Sequence, residues 1–288
     1  MRATTQLRRM LTEPGIIVAP GAYDGLSARL IERHGFRTVY MTGAGTAASA
    51  IGHADVGLTT LTEMATHAGR IASCVSLPVI ADADTGYGNA LNVIRTVHEY
   101  ERAGVAGFHL EDQVFPKKCG HIAGKAVIPA KEFAEKIRAA AENRSDPDFV
   151  IIARTDARAV NGLDDAIERS LLYREAGADV IFLEAPQSRE EVERIAREIK
   201  APLLSNQVPG GKTPALTVSE LEKLGYKIVI FPVVGLMAAT LAIENALVGL
   251  REHGTDWTDG PILSPMDIFK KVGIDWWLEQ ESKYKTPA

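Results

Sequence analysis

The residues of this chain best suited to chemistry gather in one stretch, residues 109–125, HLEDQVFPKKCGHIAGK. An acidic pair, Glu111 and Asp112, leads into a polar segment where Cys119 lies among Lys117, Lys118 and His121, with Gly120 and Gly124 close by. Nearby positive charge favours thiolate over thiol, so Cys119 is expected to ionise more readily than a buried cysteine. Glycines let such a segment bend where other residues would clash. The pattern reads as a reactive thiol on a mobile flap beside carboxylates on a rigid element. The competing reading is a small buried hydrophobe, the usual fate of a lone cysteine.

A second group is acidic. Asp82 and Asp84 are two apart, and on an extended segment they point the same way. With Glu111, and with Asp55 as an outer member, they make a set of hard oxygen donors. No His or Cys pair accompanies them, which suits Mg²⁺ or Mn²⁺ rather than zinc. Mg²⁺ keeps several waters and takes only one or two carboxylates directly, so some of the four are expected to act through water. The alternative is that residues 84–88, DTGYG, form an ordinary turn. Arg154 suits bidentate capture of a carboxylate, and Glu184 would hold that arginine or a substrate hydroxyl. The alternative there is a charged pair bracing the fold. Thr42-Gly43-Ala44-Gly45 offers bare backbone N–H groups to an anion. Its form, Gly43-x-Gly45-x-x-Ala48 with Glu63 downstream, also raises a nicotinamide oxidoreductase as a rival, weakened because no second half-domain follows. His34, His67, His98 and His109 are read as structural.

These groups need elements to hold them. Apolar β-rich runs at 16–19, 38–42, 79–82, 107–111, 150–154, 180–183, 203–205 and 228–231 read as strands covered on both faces. Amphipathic segments at 24–34, 61–74, 90–103, 163–176, 188–199 and 218–224 read as helices between them. Gly35, Gly104, Gly177 and Gly225 sit where helix C-termini want glycine. Asp24, Thr60 and Ser188 are plausible N-caps. Eight such βα units predict an α/β fold, a (β/α)₈ TIM barrel, with an open doubly wound sheet as the alternative. Barrel chemistry is built at strand C-terminal ends. There the chain places Tyr40 and Thr42, Asp82 and Asp84, Glu111, Arg154, Glu184 and Asn206, while Pro20-Gly21-Ala22 and Pro232 break the pattern. No linker divides the chain, so 1–288 reads as one domain, with 235–288 as a helical extension containing helices at 235–253 and 264–280.

Composition removes several classes. Net charge is −5 with no basic patch, which argues against nucleic-acid binding. Two cysteines, Cys74 and Cys119, make no disulfide framework, so a reducing cytoplasm is expected. The N-terminus has no apolar core of a secretory signal. The most apolar run, 228–243, contains Pro232 and Gly235 and falls short of the roughly 20 residues a membrane span needs. It reads as strand, turn and helix start.

Taken together, the segments VYMTGAG (39–45), ADADTGYG (81–88), HLEDQ (109–113), KKCGH (117–121), ARTDA (153–157), LEA (183–185) and SNQVPGGKTP (205–214) resemble the isocitrate lyase/phosphoenolpyruvate mutase superfamily. KKCGH after an EDQ strand is the most specific of these. The resemblance implies a (β/α)₈ barrel whose last helix is exchanged between subunits of a homodimer or homotetramer. It implies that Thr42, Gly43 and Ala44 hold a substrate carboxylate, and that Asp82, Asp84 and Glu111 surround Mg²⁺ with Asp55 nearby. Cys119 would be the general acid on a gating loop. Gly120, His121, Arg154, Glu184 and Asn206 would line the substrate site. Superfamily members often show Ser-Gly-Gly where this chain has Thr42-Gly43-Ala44, so a methyl is added at Ala44.

The expected activity is Mg²⁺-dependent cleavage of a 2-hydroxydicarboxylate, a substituted malate, with Tyr40 as candidate base. Phosphonate mutase chemistry, oxaloacetate hydrolysis and tricarboxylate cleavage are the alternatives within the superfamily. A binding-protein barrel is the alternative outside enzymes, and the KKCGH segment argues against it.

Overall fold

The computed structural model describes residues 1–120, 122, 124–256 and 262–285. Helix α1 (Ala3–Thr12) precedes β1 (Ile17–Ala22), and strands and helices then alternate. They are α2 (Gly25–Arg33), β2 (Val39–Met41), a short α3 (Gly43–Thr46) running into a π turn (Ala47–Ile51), α4 (Leu61–Cys74), β3 (Val79–Asp82), α5 (Ala90–Arg102), β4 (Gly107–Glu111) and α6 (Ala130–Asn143). Next come β5 (Val150–Thr155), α7 (Leu163–Glu175), β6 (Val180–Leu183), α8 (Arg189–Glu198), β7 (Leu204–Asn206), α9 (Val218–Leu224) and β8 (Ile228–Phe231). Three helices follow the barrel: α10 (Val234–His253), α11 (Pro265–Lys271) and α12 (Ile274–Tyr284).

All strand pairs are parallel, in the order β6-β5-β4-β3-β2-β1-β8-β7. The β6–β7 seam is held by one parallel bridge, Ile181 to Leu203. The sheet is therefore a nearly closed (β/α)₈ barrel and not an open doubly wound sheet. Alternate residues of each strand face opposite sides. Outward residues such as Val79, Ala81, Phe108, Leu110 and Ile151 pack with Met64, Val97, Tyr100, Phe133 and Ile137 of the helices. Inward residues such as Ile80, Ile152, Val180, Phe182, Leu204 and Ile230 fill the barrel. Both faces of each strand are thus apolar, the property that made the strands legible.

Helix ends are tied by side chains. Asp24 accepts from the Ser27 amide at 2.7 Å, and Thr60 and Glu63 cap each other reciprocally. The Glu63 carboxylate accepts from the Thr60 amide at 2.8 Å. It is thus a capping residue, and the ribose role required by the nicotinamide reading is excluded.

Three differences from the expected elements have clear causes. The first strand runs on through Pro20-Gly21-Ala22, because the chain lies against the end of β8 there. A Cβ on Gly21 would fall 2.0 Å from the Pro232 carbonyl oxygen. The N-terminal residues form α1, which stoppers the barrel floor. Its Leu7 and Met10 join the inward core, and Arg8 donates to Asp179 at 2.5 Å and to the Phe149 carbonyl at 2.9 Å. The tail expected as one helix over 264–280 is two helices. Ser264 caps the first, with Pro265 in its first turn, and Gly273, at φ 92°, breaks the run.

Helix α10 matches the expected span 235–253 to within one residue. It has 20 residues with a mean hydropathy of 1.3, enough by length and composition to cross a membrane, and none of that stretch is buried. Leu241, Ile243 and Leu247 are exposed on it, as are Phe269, Trp276 and Trp277 on α11 and α12.

Candidate active site

The strand C-terminal ends deliver most of the expected side chains to one cleft of about 310 Å³. Tyr40, Thr42, Gly43, Ala44, Asp55, Asp82, Cys119, Gly120, Arg154, Glu184 and Asn206 all line it. Asp84 and Glu111 are buried and are not among its lining residues. His121 lies outside the described residues.

The acidic group is arranged differently from the extended pair that was expected. Strand β3 ends at Asp82, and Asp84 adopts a left-handed backbone at φ 46°. Its amide donates to the Asp82 carboxylate at 2.9 Å. The two carboxylates are therefore brought together by a turn, not by strand alternation. Gly43 is needed beside them, because a Cβ there would lie 2.2 Å from the Asp82 carboxylate. Burial raises Asp84 to about 6, with the negative charges of Asp82 and Asp55 adding and Lys117 opposing. Burial also pushes Glu111 well above the usual carboxylate range, against the pull of Arg154 and Lys117. Asp82 is lowered overall: burial opposes ionisation, but the neighbouring His109 imidazole and the positive charges of Lys117 and Arg154 outweigh it.

Lys117 is the chief counter-charge. Its ammonium lies 2.5 Å from Asp55 Oδ1 and 2.6 Å from Asp84 Oδ1, with the side chain 2% exposed. Burial would lower it, yet Asp84, Asp82, Glu111 and Asp55 together hold it well above the ordinary lysine value. Lys117 thus directs its charge to two carboxylates. The Cys119 amide donates to the Asp55 carbonyl at 3.1 Å, so the same loop positions the cysteine by its backbone.

The donor set suits a hard divalent cation. Glu111 Oε1 is buried with no hydrogen-bond partner, and Asp84 Oδ1 has only its ion pair with Lys117. Among the described residues, no three acidic, histidine or cysteine side chains converge closely enough to enclose an ion directly.

Arg154 is buried over the Phe182 ring, 5.2 Å from its centroid. Its Nε lies 2.9 Å from Asp156 Oδ2 and 3.2 Å from Glu111 Oε2. Asn206 donates to both Glu184 oxygens at 3.4 and 3.3 Å. Tyr40 Oη lies 2.7 Å from His109 Nε2, with the rings stacked. Burial raises the Tyr40 phenol well above its ordinary value, and the charge of Asp82 adds to this. Burial lowers His109 to about 4, so it is neutral near pH 7. A neutral phenol bonded to a neutral imidazole opposes the ionised base expected of Tyr40.

Several supporting residues escaped the sequence reading. Asp156 follows Arg154 by two positions, which is the spacing that puts two strand residues on one face. Asp112 was noted only as a neighbour of Glu111. It accepts from Thr155 Oγ1 at 2.7 Å, Tyr173 Oη at 2.8 Å, the Asp156 amide at 2.9 Å and Arg169 at 3.3 Å. This buried knot ties the ends of β4 and β5 to α7.

Fold and site together define a barrel enzyme with an acidic, cation-suited centre under a cysteine-bearing loop. The family model described as phosphoenolpyruvate phosphomutase matches residues 7–251. The chain is 47% identical over 290 residues to 2,3-dimethylmalate lyase of Eubacterium barkeri, covering 99% of each chain. It is 50% identical over 249 residues to 2-methylisocitrate lyase of Aeropyrum pernix, covering 86% of this chain and 80% of that one. A solved structure of oxaloacetate acetylhydrolase with 3,3-difluorooxalacetate matches at TM-score 0.95 and 42% identity, over 99% of this chain and 98% of that one. Phosphonopyruvate hydrolase in complex with oxalate and Mg²⁺ matches at TM-score 0.89 and 32% identity, over 99% of both. The chain belongs to the phosphoenolpyruvate phosphomutase family, within the phosphoenolpyruvate mutase/isocitrate lyase superfamily, and is an enzyme of its oxo-acid lyase type.

Removing the Asp112 carboxylate takes a shared buried acceptor from Thr155, Tyr173, the Asp156 amide and Arg169, which keeps its pair with Asp165 at 2.7 Å. Asp112→Ala should therefore lose about 3–5 kcal/mol of stability, the scale of breaking a buried ion pair, and Asp112→Asn clearly less. Urea unfolding of both variants checks this, and a loss below about 1 kcal/mol in Asp112→Ala would show that the knot is not a brace.

Proposed function

We propose that this chain cleaves the C2–C3 bond of a 2-hydroxydicarboxylate, a substituted malate such as 2,3-dimethylmalate. The products are an α-keto acid and a short carboxylic acid. The observation that carries the reading is the convergence of Asp82, Arg154, Glu184, Cys119 and Gly120 on one small cleft, with Asp84 bonded to Asp82 and Glu111 paired with Arg154 behind its wall. Asp84 and Glu111 would hold Mg²⁺ or Mn²⁺, with Asp82 and Asp55 acting through water. The ion, when bound, lowers the pKa of a substrate hydroxyl and stabilises charge on the developing carbonyl.

The chain's own residues then do the following. Arg154 and the first turn of α3, at Thr42, Gly43 and Ala44, bind and orient the substrate carboxylates. Glu184, fixed by Asn206, accepts from the substrate hydroxyl. Tyr40 and Phe182 wall the cleft and exclude water. Cys119 delivers a proton to C3 as the carbon–carbon bond breaks. Gly120 and His121 complete the substrate site in this reading, and the 117–125 segment is its gating loop.

The preference for a smaller acid rests on the wall beyond Asn206. Gln207 is buried, with its Oε1 accepting from the Leu216 amide at 3.0 Å and its Nε2 donating to Ser205 at 3.2 Å. It is thus committed to the fold and not to a third carboxylate. Val208, Pro209, Gly210 and Gly211 line the cleft there, while Lys212 is exposed and is not among the lining residues. A carboxylate buried without a partner costs several kcal/mol, so an isocitrate-like substrate is disfavoured.

The exposed apolar face of α10 to α12 is, in the same reading, the face a second copy covers by exchange of the C-terminal helices, in a homodimer or homotetramer. Light scattering should show a dimer or larger. A monomer in detergent-free buffer would contradict it, and a chain soluble only with lipid would assign α10 to a membrane instead.

The decisive assay is keto acid release from 2,3-dimethylmalate, 2-methylisocitrate and oxaloacetate, with and without EDTA. We expect the highest kcat/KM with 2,3-dimethylmalate, no turnover in EDTA, and restoration by Mg²⁺ or Mn²⁺. Cys119→Ser should fold and bind metal normally while losing about 10²-fold or more in kcat, the usual scale for a lost general acid. A preference for the tricarboxylate would overturn the substrate choice. Turnover of oxaloacetate alone, or of a phosphonate alone, would overturn the lyase reading.

A further inference from the structure

The roles above leave the buried ammonium of Lys125 unused. Lys125 closes the cysteine segment, and its side chain is 2% exposed. Its ammonium donates to the Gly120 carbonyl at 2.6 Å and to Asp156 Oδ1 at 2.6 Å. Each partner touches the site. Gly120 is seated on Arg154 and Glu184 so closely that a Cβ there would lie 2.8 Å from Arg154 Nη2 and 2.6 Å from Glu184 Oε1. Asp156 accepts from Arg154 Nε at 2.9 Å and Nη2 at 3.3 Å, which fixes the plane of the guanidinium.

The other side of Cys119 is held independently. Gln113 is buried, and its side-chain amide pairs with the backbone of Lys118 like a strand neighbour. Oε1 accepts from the Lys118 amide at 3.0 Å and Nε2 donates to the Lys118 carbonyl at 2.8 Å. Cys119 therefore lies between a clamp at Lys118 and the Lys125 contact at Gly120. The first clamp is neutral and reaches only the end of β4. The second is charge-assisted and reaches the arginine.

We propose that Lys125 is a positioning residue, which seats the Cys119–Gly120 backbone over Arg154 by holding the Gly120 carbonyl and the Asp156 carboxylate together. The thiol and the guanidinium then keep a common register, because one ammonium spans the backbone that carries the first and the carboxylate that orients the second. As to catalysis, the assignment rests on the lyase reading above; as to the placement of Cys119, it does not.

Lys125→Met removes the ammonium at similar length and leaves Asp156 paired with Arg154, so no charge is orphaned. The test uses the full-length protein with Cys74→Ser as background, so that Cys119 is the sole thiol. Charge-assisted hydrogen bonds shift an equilibrium by about 10- to 100-fold. Iodoacetamide should accordingly alkylate Cys119 about 10-fold or more faster in Lys125→Met. With 2,3-dimethylmalate, kcat should fall by about 10- to 100-fold while KM changes only a few-fold. Lys125→Arg, which keeps the charge, should recover part of both. A merely structural lysine would leave the alkylation rate alone once the variant is folded. Unchanged alkylation in folded Lys125→Met, or a rise in KM with kcat intact, overturns the proposal. Should Lys125→Met fail to fold, Asp156→Asn keeps the shape and weakens the same contact; faster alkylation there supports the proposal and an unchanged rate overturns it. Faster alkylation in a chain whose wild type releases no keto acid would overturn the lyase reading and uphold the positioning of Cys119.

Discussion

The structure depends on a concentration of buried negative charge at one end of the barrel. Asp82, Asp84, Glu111, Asp112 and Asp156 are each at most 4% exposed, and Asp55 stands at their edge. Isolated buried carboxylates cost far more than a domain's net stability, so cations must reach them. Lys117, Lys125, Arg154 and Arg169 do so, and all but Arg169 come from the cysteine segment or from a strand end that meets it. The loop over the cleft is therefore a requirement of the barrel's charge balance. That balance is what brings Cys119 and Gly120 to the carboxylates.

Much of this was legible in the chain. The eight strands are apolar on both faces, and four of the expected spans match the strands found without change. The polar strand ends were legible for the same reason: a charged residue closing an apolar run must meet a site or a cap. Other features were hidden because they depend on partners far away in sequence. The partners of Lys117 and Lys125 appear only once the carboxylates that bury them are placed. The turn at Asp84 hides behind a two-residue spacing that also fits a strand. Helix α1 has few apolar residues, and only the open floor of the barrel gives Leu7 and Met10 a place to go. The break at Gly273 is one glycine in an otherwise helical pattern.

The wall beyond Asn206 shows how fold and selectivity are joined. Gln207 uses both ends of its amide within the fold, to turn β7 toward α9. The remaining surface is Val208, Pro209 and two glycines, which offer shape but little charge. Relatives with names as different as a dimethylmalate lyase and an acetylhydrolase share the fold closely, so the differences among their reactions must arise in such local surfaces rather than in the barrel.

The central claim is that the buried carboxylates form a divalent-cation site whose charge Lys117 otherwise balances. Calorimetric titration of Mn²⁺ into the wild-type chain and into Asp84→Asn tests it without reference to any substrate. The account predicts one ion bound per chain by the wild type, and an affinity reduced by about 10-fold or more when one carboxylate ligand is neutralised. Absence of binding to the folded wild type, or equal affinity in Asp84→Asn, would contradict it.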